Sequence, residues 1–327
     1  MERRVLGRTG LSVSALGFGC GDVGGLMVRG TPAEQERGVA RALELGINYF
    51  DTAPSYGSGE SEKNLGRVLR TLRPDIVLGT KFRIAGEERA RIGLAVTASL
   101  EASLGRLGLD RVDLFQLHNL VSENGQDRVL SPMLLLDEVV PALERLKRQG
   151  KIRFFGITAL GDTPALHSVI DARVLDTAQV CYNLLNPSAG GAARPGSPGQ
   201  DFGELLRHTK ASSMGVIGIR ALAGGALSGV ETRHRVAIPS VAPIASGPDY
   251  AADVARARRF EALVRDGYAD SLIDAAIRFV ISSDAVSTAL VGYSSLEHLE
   301  YAAASVERGP LPKAALDRLT AIWSQKA

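Results

Sequence analysis

Long apolar runs are missing from this 327-residue chain. No stretch approaches the roughly 20 residues that a membrane-spanning helix needs. The N-terminus carries arginines, but no small-residue cleavage pattern follows, so no signal peptide is expected. Cysteine is scarce, with only Cys20 and Cys181, too few for a disulfide framework. That scarcity fits a reducing, cytoplasmic setting. An excess of one charge is also lacking. The 38 Lys and Arg face 36 Asp and Glu, and no basic run offers a polyanion footprint, so neither nucleic acid nor a membrane is expected as partner. No P-loop pattern is present.

What is present is apolar content, 45% of residues, enough to bury a sizeable core and to exclude global disorder. The length allows one large domain or two ordinary ones. No linker interrupts the chain, and a single domain over 1–327 is expected. Arg3-Arg4-Val5-Leu6 and Leu11-Ser12-Val13-Ser14, separated by Gly7 to Gly10, read as a small hairpin. Beyond it, short apolar runs alternate with amphipathic stretches. Strands are expected at 15–19, 48–51, 76–81, 112–118, 154–158, 177–182, 216–220 and 286–291. Their β-branched, aromatic and Leu-rich composition suits parallel strands covered on both faces. Helices are expected at 33–45, 60–72, 87–108, 136–149, 164–172, 203–212, 271–283 and 313–323. This α/β alternation is the count for a closed (β/α)8 TIM barrel, with the hairpin plugging its bottom. A doubly wound open sheet is the rival. Two stretches, 186–200 and 228–250, fit no element and are expected as long loops on the C-terminal face, where barrel enzymes keep their sites.

Gly19-Cys20-Gly21-Asp22-Val23-Gly24 matches G-x-G-x-x-G. The dinucleotide fingerprint requires a helix opening on the third glycine, to hold pyrophosphate at its N-terminus. Here Gly25 and Gly30 follow, and the helix waits for Pro32. The run reads instead as a loop after the first strand, or as glycines that let a nicotinamide ring approach the barrel mouth.

Four polar side chains fall at or just past the ends of three successive strands: Asp51, Tyr56, Lys81 and His118. Each strand is otherwise apolar, and neighbouring strands lie only about 4.8 Å apart, so the four can converge. The set suits proton transfer to a carbonyl oxygen during hydride transfer. A phenol is a poor acid near neutrality, and an adjacent ammonium is expected to lower its pKa. Asp51 would hold Lys81 charged and oriented. Tyr56 would act as acid in reduction and base in oxidation, with His118 binding the carbonyl. Taken singly, each has a plainer reading: a salt bridge for Asp51 and Lys81, a satisfied buried histidine, a loop tyrosine. A Schiff-base lysine at Lys81 is the chemical rival.

Here the chain resembles the aldo-keto reductases, from about Arg4 to Ala303. INYFDTAPSYGSGESEKNLGRVL, LGTK, SLEASLGRLGLDRVDLFQLHN and GKIRFFGIT are similar to the family's segments, in the same order. The resemblance implies a metal-free barrel that uses NADP(H) by preference, or NAD(H), on a small carbonyl or alcohol substrate. It implies Asp51, Tyr56, Lys81 and His118 as the catalytic tetrad. Thr158 and Gln179 would meet the nicotinamide carboxamide, with Ala159 where the family has Asn. Ile219 would pack on the ring. Arg220, Leu222, Gly224, Gly225 and Leu227, within RALAGGALSG, would lie along the pyrophosphate. Gly292, Ser294, Ser295 and His298, within LVGYSSLEHLEYA, would meet the adenosine end. Gly19, Cys20, Gly21 and Asp51 would border the cofactor cleft. His234, in the second long loop, is expected off the site, and Cys20 and Cys181 are expected to be buried and inert. Two other functions stay open: a cofactor-binding module that senses redox state with little turnover, and a Schiff-base lyase. Substrate, direction, oligomeric state and protein partners are not legible.

Overall fold

Eight parallel strands close into a barrel in the computed structural model, which describes residues 1–124, 129–192 and 198–324. The strands are Leu16–Gly19, Tyr49–Asp51, Val77–Phe82, Val112–Leu117, Ile152–Ala159, Thr177–Cys181, Gly215–Ile219 and Thr288–Gly292. They pair in chain order, and the eighth returns to the first. All eight expected strands are found, with ends shifted by a residue or two. The open-sheet rival is excluded by that closure.

The hairpin pairs Arg3–Val5 with Ser12–Ser14. Its Leu6, Leu11 and Val13 are buried against Tyr49, Val77, Leu114 and Ile217, which point into the bottom of the barrel. This is the expected plug. Gly7 makes the approach possible: it has φ +49°, and a Cβ there would lie 2.2 Å from the Gly215 nitrogen.

The helices cover the outside. Pro32–Glu44 starts on a capping box, in which the Thr31 hydroxyl accepts from the Glu34 amide and the Glu34 side chain accepts from the Thr31 amide. Two expected helices differ in form. The 87–108 stretch is a 3-10 turn, Gly86–Arg91, followed by Ile92–Leu107. None of the turn's residues is buried, so the apolar stripe begins only at Ile92. The 136–149 helix starts earlier, at Pro132, and passes through a π turn at Leu135–Val139. Pro141 follows that turn and lacks the N–H that regular helix needs there. Four helices went unread in the sequence: Leu26–Arg29, Tyr250–Ala257, Glu261–Arg265 and Leu296–Glu307. The last buries Leu299, Ala302, Ala303 and Val306. Alanine carries much of its inner face, which blunts the apolar pattern.

The loop at 228–250 follows the seventh strand, on the C-terminal face as expected. Residues 193–197 of the other long loop, and 125–128 of the segment after the fourth strand, lie outside the described residues. Among the described residues, no helix is long and apolar enough to cross a membrane.

Candidate active site

Alternation along the second strand turns Tyr49 and Asp51 to the barrel interior, with Phe50 packed outside it. Asp51 sits at the strand's C-terminal end, buried to 1% exposure. Lys81 lies toward the end of the third strand, equally buried, and its ammonium forms an ion pair with Asp51 Oδ1. The same nitrogen donates to the Thr52 carbonyl at 2.9 Å and to Tyr56 Oη at 3.1 Å. Each of its three protons therefore has an acceptor. Tyr56 opens a short 3-10 turn, Tyr56–Gly59, in which Gly57 has φ 58°. The Gly57 amide donates to Asp22 Oδ2 at 3.1 Å and fastens this turn to the loop after the first strand. His118 follows the fourth strand and meets Tyr56 edge-on, ring centroids 6.0 Å apart at 88°. The four residues singled out in the sequence thus meet at one point.

Burial sets their protonation. It pushes the His118 imidazole down to about 2, with the Lys81 and Arg83 charges adding to the effect, so the ring is neutral at physiological pH. Burial works against the Lys81 ammonium, but Asp51 and Tyr56 more than restore it, and its pKa ends above the ordinary value. Tyr56 departs from the sequence expectation. Lys81 does pull its pKa down, but burial outweighs that pull and the net shift is upward. The phenol is therefore held protonated, and the ammonium moderates the penalty on its anion.

Asp51 has further donors. Gln179 Nε2 reaches Asp51 Oδ2 at 2.7 Å, and Tyr49 Oη reaches the same oxygen at 3.0 Å. Gln179 Oε1 in turn accepts from the Thr158 hydroxyl at 3.3 Å. Tyr49 was not singled out in the sequence. Its signal is positional: two residues before Asp51, on the same inward face.

From this cluster a cleft of about 1170 Å3 runs across the barrel mouth. Its wall includes Gly19, Gly21, Asp51, Tyr56, His118, Thr158, Gln179, Ile219, Arg220, Leu222, Gly224, Gly225, Gly292, Ser294 and His298. Three expected contacts are off that wall. Cys20 is buried in the core beneath it, Leu227 is wholly buried, and Ser295 spends its hydroxyl capping the helix Leu296–Glu307. His234, expected off the site, lies on the wall, its ring 5.8 Å from that of His298. Asp22, Arg83, Arg233 and Tyr301 line it as well. The 228–250 loop crosses the cleft: Arg233 donates to the Gly224 carbonyl at 2.8 Å on one rim and to Val23 at 3.1 Å on the other. Cys20 and Cys181 are free and buried, with thiol pKa values raised by burial, that of Cys181 to about 12.

The glycine run 19–24 has two tasks here. A Cβ on Gly24 would lie 2.4 Å from Tyr293 N, so Gly24 lets two loops touch. A Cβ on Gly21 would stand 3.4 Å from the Tyr56 ring, so this glycine keeps the space beside the phenol open. An open face by Tyr56, amide-binding groups at Thr158 and Gln179, and cationic Arg220 farther along fit an anionic dinucleotide with a carboxamide at one end.

A sequence model of the aldo/keto reductase family matches residues 15–324. The chain belongs to this family. It is 32% identical over 316 residues to L-galactose dehydrogenase of Arabidopsis thaliana, covering 94% of this chain and 88% of the relative. It is 28% identical to pyridoxal 4-dehydrogenase of Microbacterium luteolum, over 91% of each. Among solved structures, an aldo-keto reductase from Bacillus halodurans in its holo form superposes with a TM-score of 0.73 at 25% identity, covering 98% of this chain and 96% of that one. Membership of this family, with dehydrogenases among the relatives, makes the chain an oxidoreductase.

Proposed function

We propose that the protein, as a single domain over 1–327, interconverts small aldehydes or ketones with the corresponding alcohols, aldose sugars among them, using NADP(H) in preference to NAD(H). One observation carries this reading: Lys81 touches Asp51 and Tyr56 at once, with His118 edge-on to the phenol and an open cleft beside them. A bound nicotinamide would supply the hydride in reduction and accept it in oxidation.

In reduction, Tyr56 gives its proton to the carbonyl oxygen as negative charge develops there. Lys81, fixed by Asp51, stabilises the phenolate left behind. His118 is neutral and donates an N–H to the same oxygen, holding the carbonyl carbon in place. In oxidation the Tyr56 phenolate takes the proton back. Thr158 and Gln179 would hold the carboxamide. Arg220, Gly224 and Gly225 would face the pyrophosphate. Gly292, Ser294 and His298 would take the adenosine end, where the imidazoles of His298 and His234 would offer donors to a 2′-phosphate. Sugars belong in the substrate class because the relatives include L-galactose dehydrogenase and D-threo-aldose 1-dehydrogenase. The two buried free thiols fit a cytoplasmic setting.

The test is NADPH and NADH oxidation with a panel of aldehydes and ketones, and NADP and NAD reduction with aldoses, beside fluorescence titration of each cofactor. Turnover on some member with the NADP pair bound more tightly supports the reading. Tight binding without turnover on any member favours the redox-sensing module. Borohydride trapping of a substrate on Lys81 favours the lyase.

A further inference from the structure

Tyr49 is wholly buried at the level where the apolar plug gives way to the polar cluster. A phenylalanine would satisfy the packing of that layer. The hydroxyl instead faces Asp51 Oδ2 at 3.0 Å, beside Gln179 Nε2 at 2.7 Å on the same oxygen. The flanking strands make room for it. A Cβ on Gly17 would come within 2.9 Å of the Tyr49 ring, and one on Gly79 within 3.1 Å of its hydroxyl and 3.3 Å of Asp51 Oδ2. Glycines on both neighbouring strands therefore cradle one ring and aim its oxygen at one carboxylate.

We infer that Tyr49 is a positioning residue: with Gln179 it pins Asp51 Oδ2, which keeps Oδ1 on Lys81 and the ammonium on Tyr56. The inference rests on the proton-transfer reading above. The carboxylate turns about its last side-chain bond unless both oxygens are held. Lys81 holds one, and two neutral donors hold the other. Tyr49 suits the task because it remains a donor: burial, then the Asp51 charge, hold its pKa well above the ordinary phenol range. Two tyrosines thus meet the same ion pair with different duties. Tyr56 faces the cleft and exchanges its proton, while Tyr49 lies sealed beneath and keeps its own.

Nitrogen NMR of the lysine ammonium groups tests this on the full chain with NADPH added, the Lys81 signal being assigned by its loss in Lys81→Met. A buried, triply bonded ammonium exchanges its protons slowly and gives a sharp signal. In Tyr49→Phe that signal is expected to shift and broaden. Gly17→Ala, whose Cβ would press on the Tyr49 ring and not on Asp51, is expected to do the same and serves if Tyr49→Phe does not fold. An unchanged Lys81 signal in the folded variants overturns the inference. Turnover gives a second readout, with methylglyoxal and L-galactose as probes. Tyr49→Phe should lower kcat about tenfold, the scale of one hydrogen bond to a charged group. In an Asp51→Asn background the same change should cost less than about twofold, because the two residues act through one another. Equal losses in both backgrounds would mark Tyr49 as packing alone and overturn the inference. Undiminished turnover in Tyr56→Phe would instead sink the catalytic reading, while the lysine signal still answers for Tyr49.

Discussion

Lys81 Nζ stands 3.1 Å from Tyr56 Oη while paired with Asp51. Burial alone would make a phenolate at this position prohibitive, and the ammonium lies where it offsets that cost. Removing it does two kinds of damage. Lys81→Met should cut turnover by at least about a hundredfold, the usual worth of a positioned acid. It also strands a buried carboxylate, which should destabilise the fold by about 3–5 kcal/mol. Adding Asp51→Asn to that variant should recover part of the stability and none of the activity. Urea unfolding of the single and double variants, followed by circular dichroism, measures the difference.

The neutrality of His118 sets a pH dependence. Its folded pKa is about 2, far below the 6.5 of a free imidazole. The unfolded chain therefore binds a proton there between those values and the native one does not. Stability from this site is complete above pH 6.5 and falls as the pH is lowered toward 2. Acid unfolding of His118→Gln should show a smaller loss across that window. At saturating cofactor the kcat profile of the intact enzyme should show no His118 ionisation between pH 5 and 8, and an inflection there that vanishes in His118→Gln would contradict the assignment.

Cofactor choice should also follow pH. His298 has a pKa lowered by burial and then by the neighbouring His234, with Glu297 opposing. His298 charges more readily when a phosphate dianion lies beside it, so 2′-phosphate binding takes up a proton there. NADPH affinity should rise as the pH falls from 8 toward 6, while NADH affinity stays level. His298→Asn should flatten the NADPH curve. Fluorescence titration of both cofactors at several pH values checks this.

The plug at the barrel bottom is a stability element remote from the chemistry. Leu6 is wholly buried there. Leu6→Ala should cost about 2–5 kcal/mol, the range for a core leucine that leaves a cavity. Its KM and cofactor affinity should match those of the intact chain at temperatures where the variant is folded. Denaturant melts and steady-state kinetics together test that separation.

The strands and the tetrad were legible because both depend on local pattern. Apolar runs ending in one charged or imidazole side chain show where a barrel strand meets its mouth, and Asp51, Lys81 and His118 each had that signature. What escaped depends on close packing or long-range placement. Tyr49 looked like an ordinary strand aromatic until Gly17 and Gly79 were seen to make room for its hydroxyl. His234 joined the cleft only because the loop folds back over it. Helix Leu296–Glu307 hid because alanines carry its buried face. The direction of the Tyr56 shift was misread for a related reason: the charge of Lys81 is visible in sequence, while the burial that outweighs it is a property of the folded barrel.

The most direct test of the account is Tyr56→Phe, with turnover and NADPH binding measured on the same preparation. The account predicts that turnover on the best panel substrate falls by about a hundredfold or more, while the NADPH dissociation constant stays within about twofold, because the ring remains and only the hydroxyl is lost. Near-normal turnover with cofactor bound would mean that the proton comes from elsewhere.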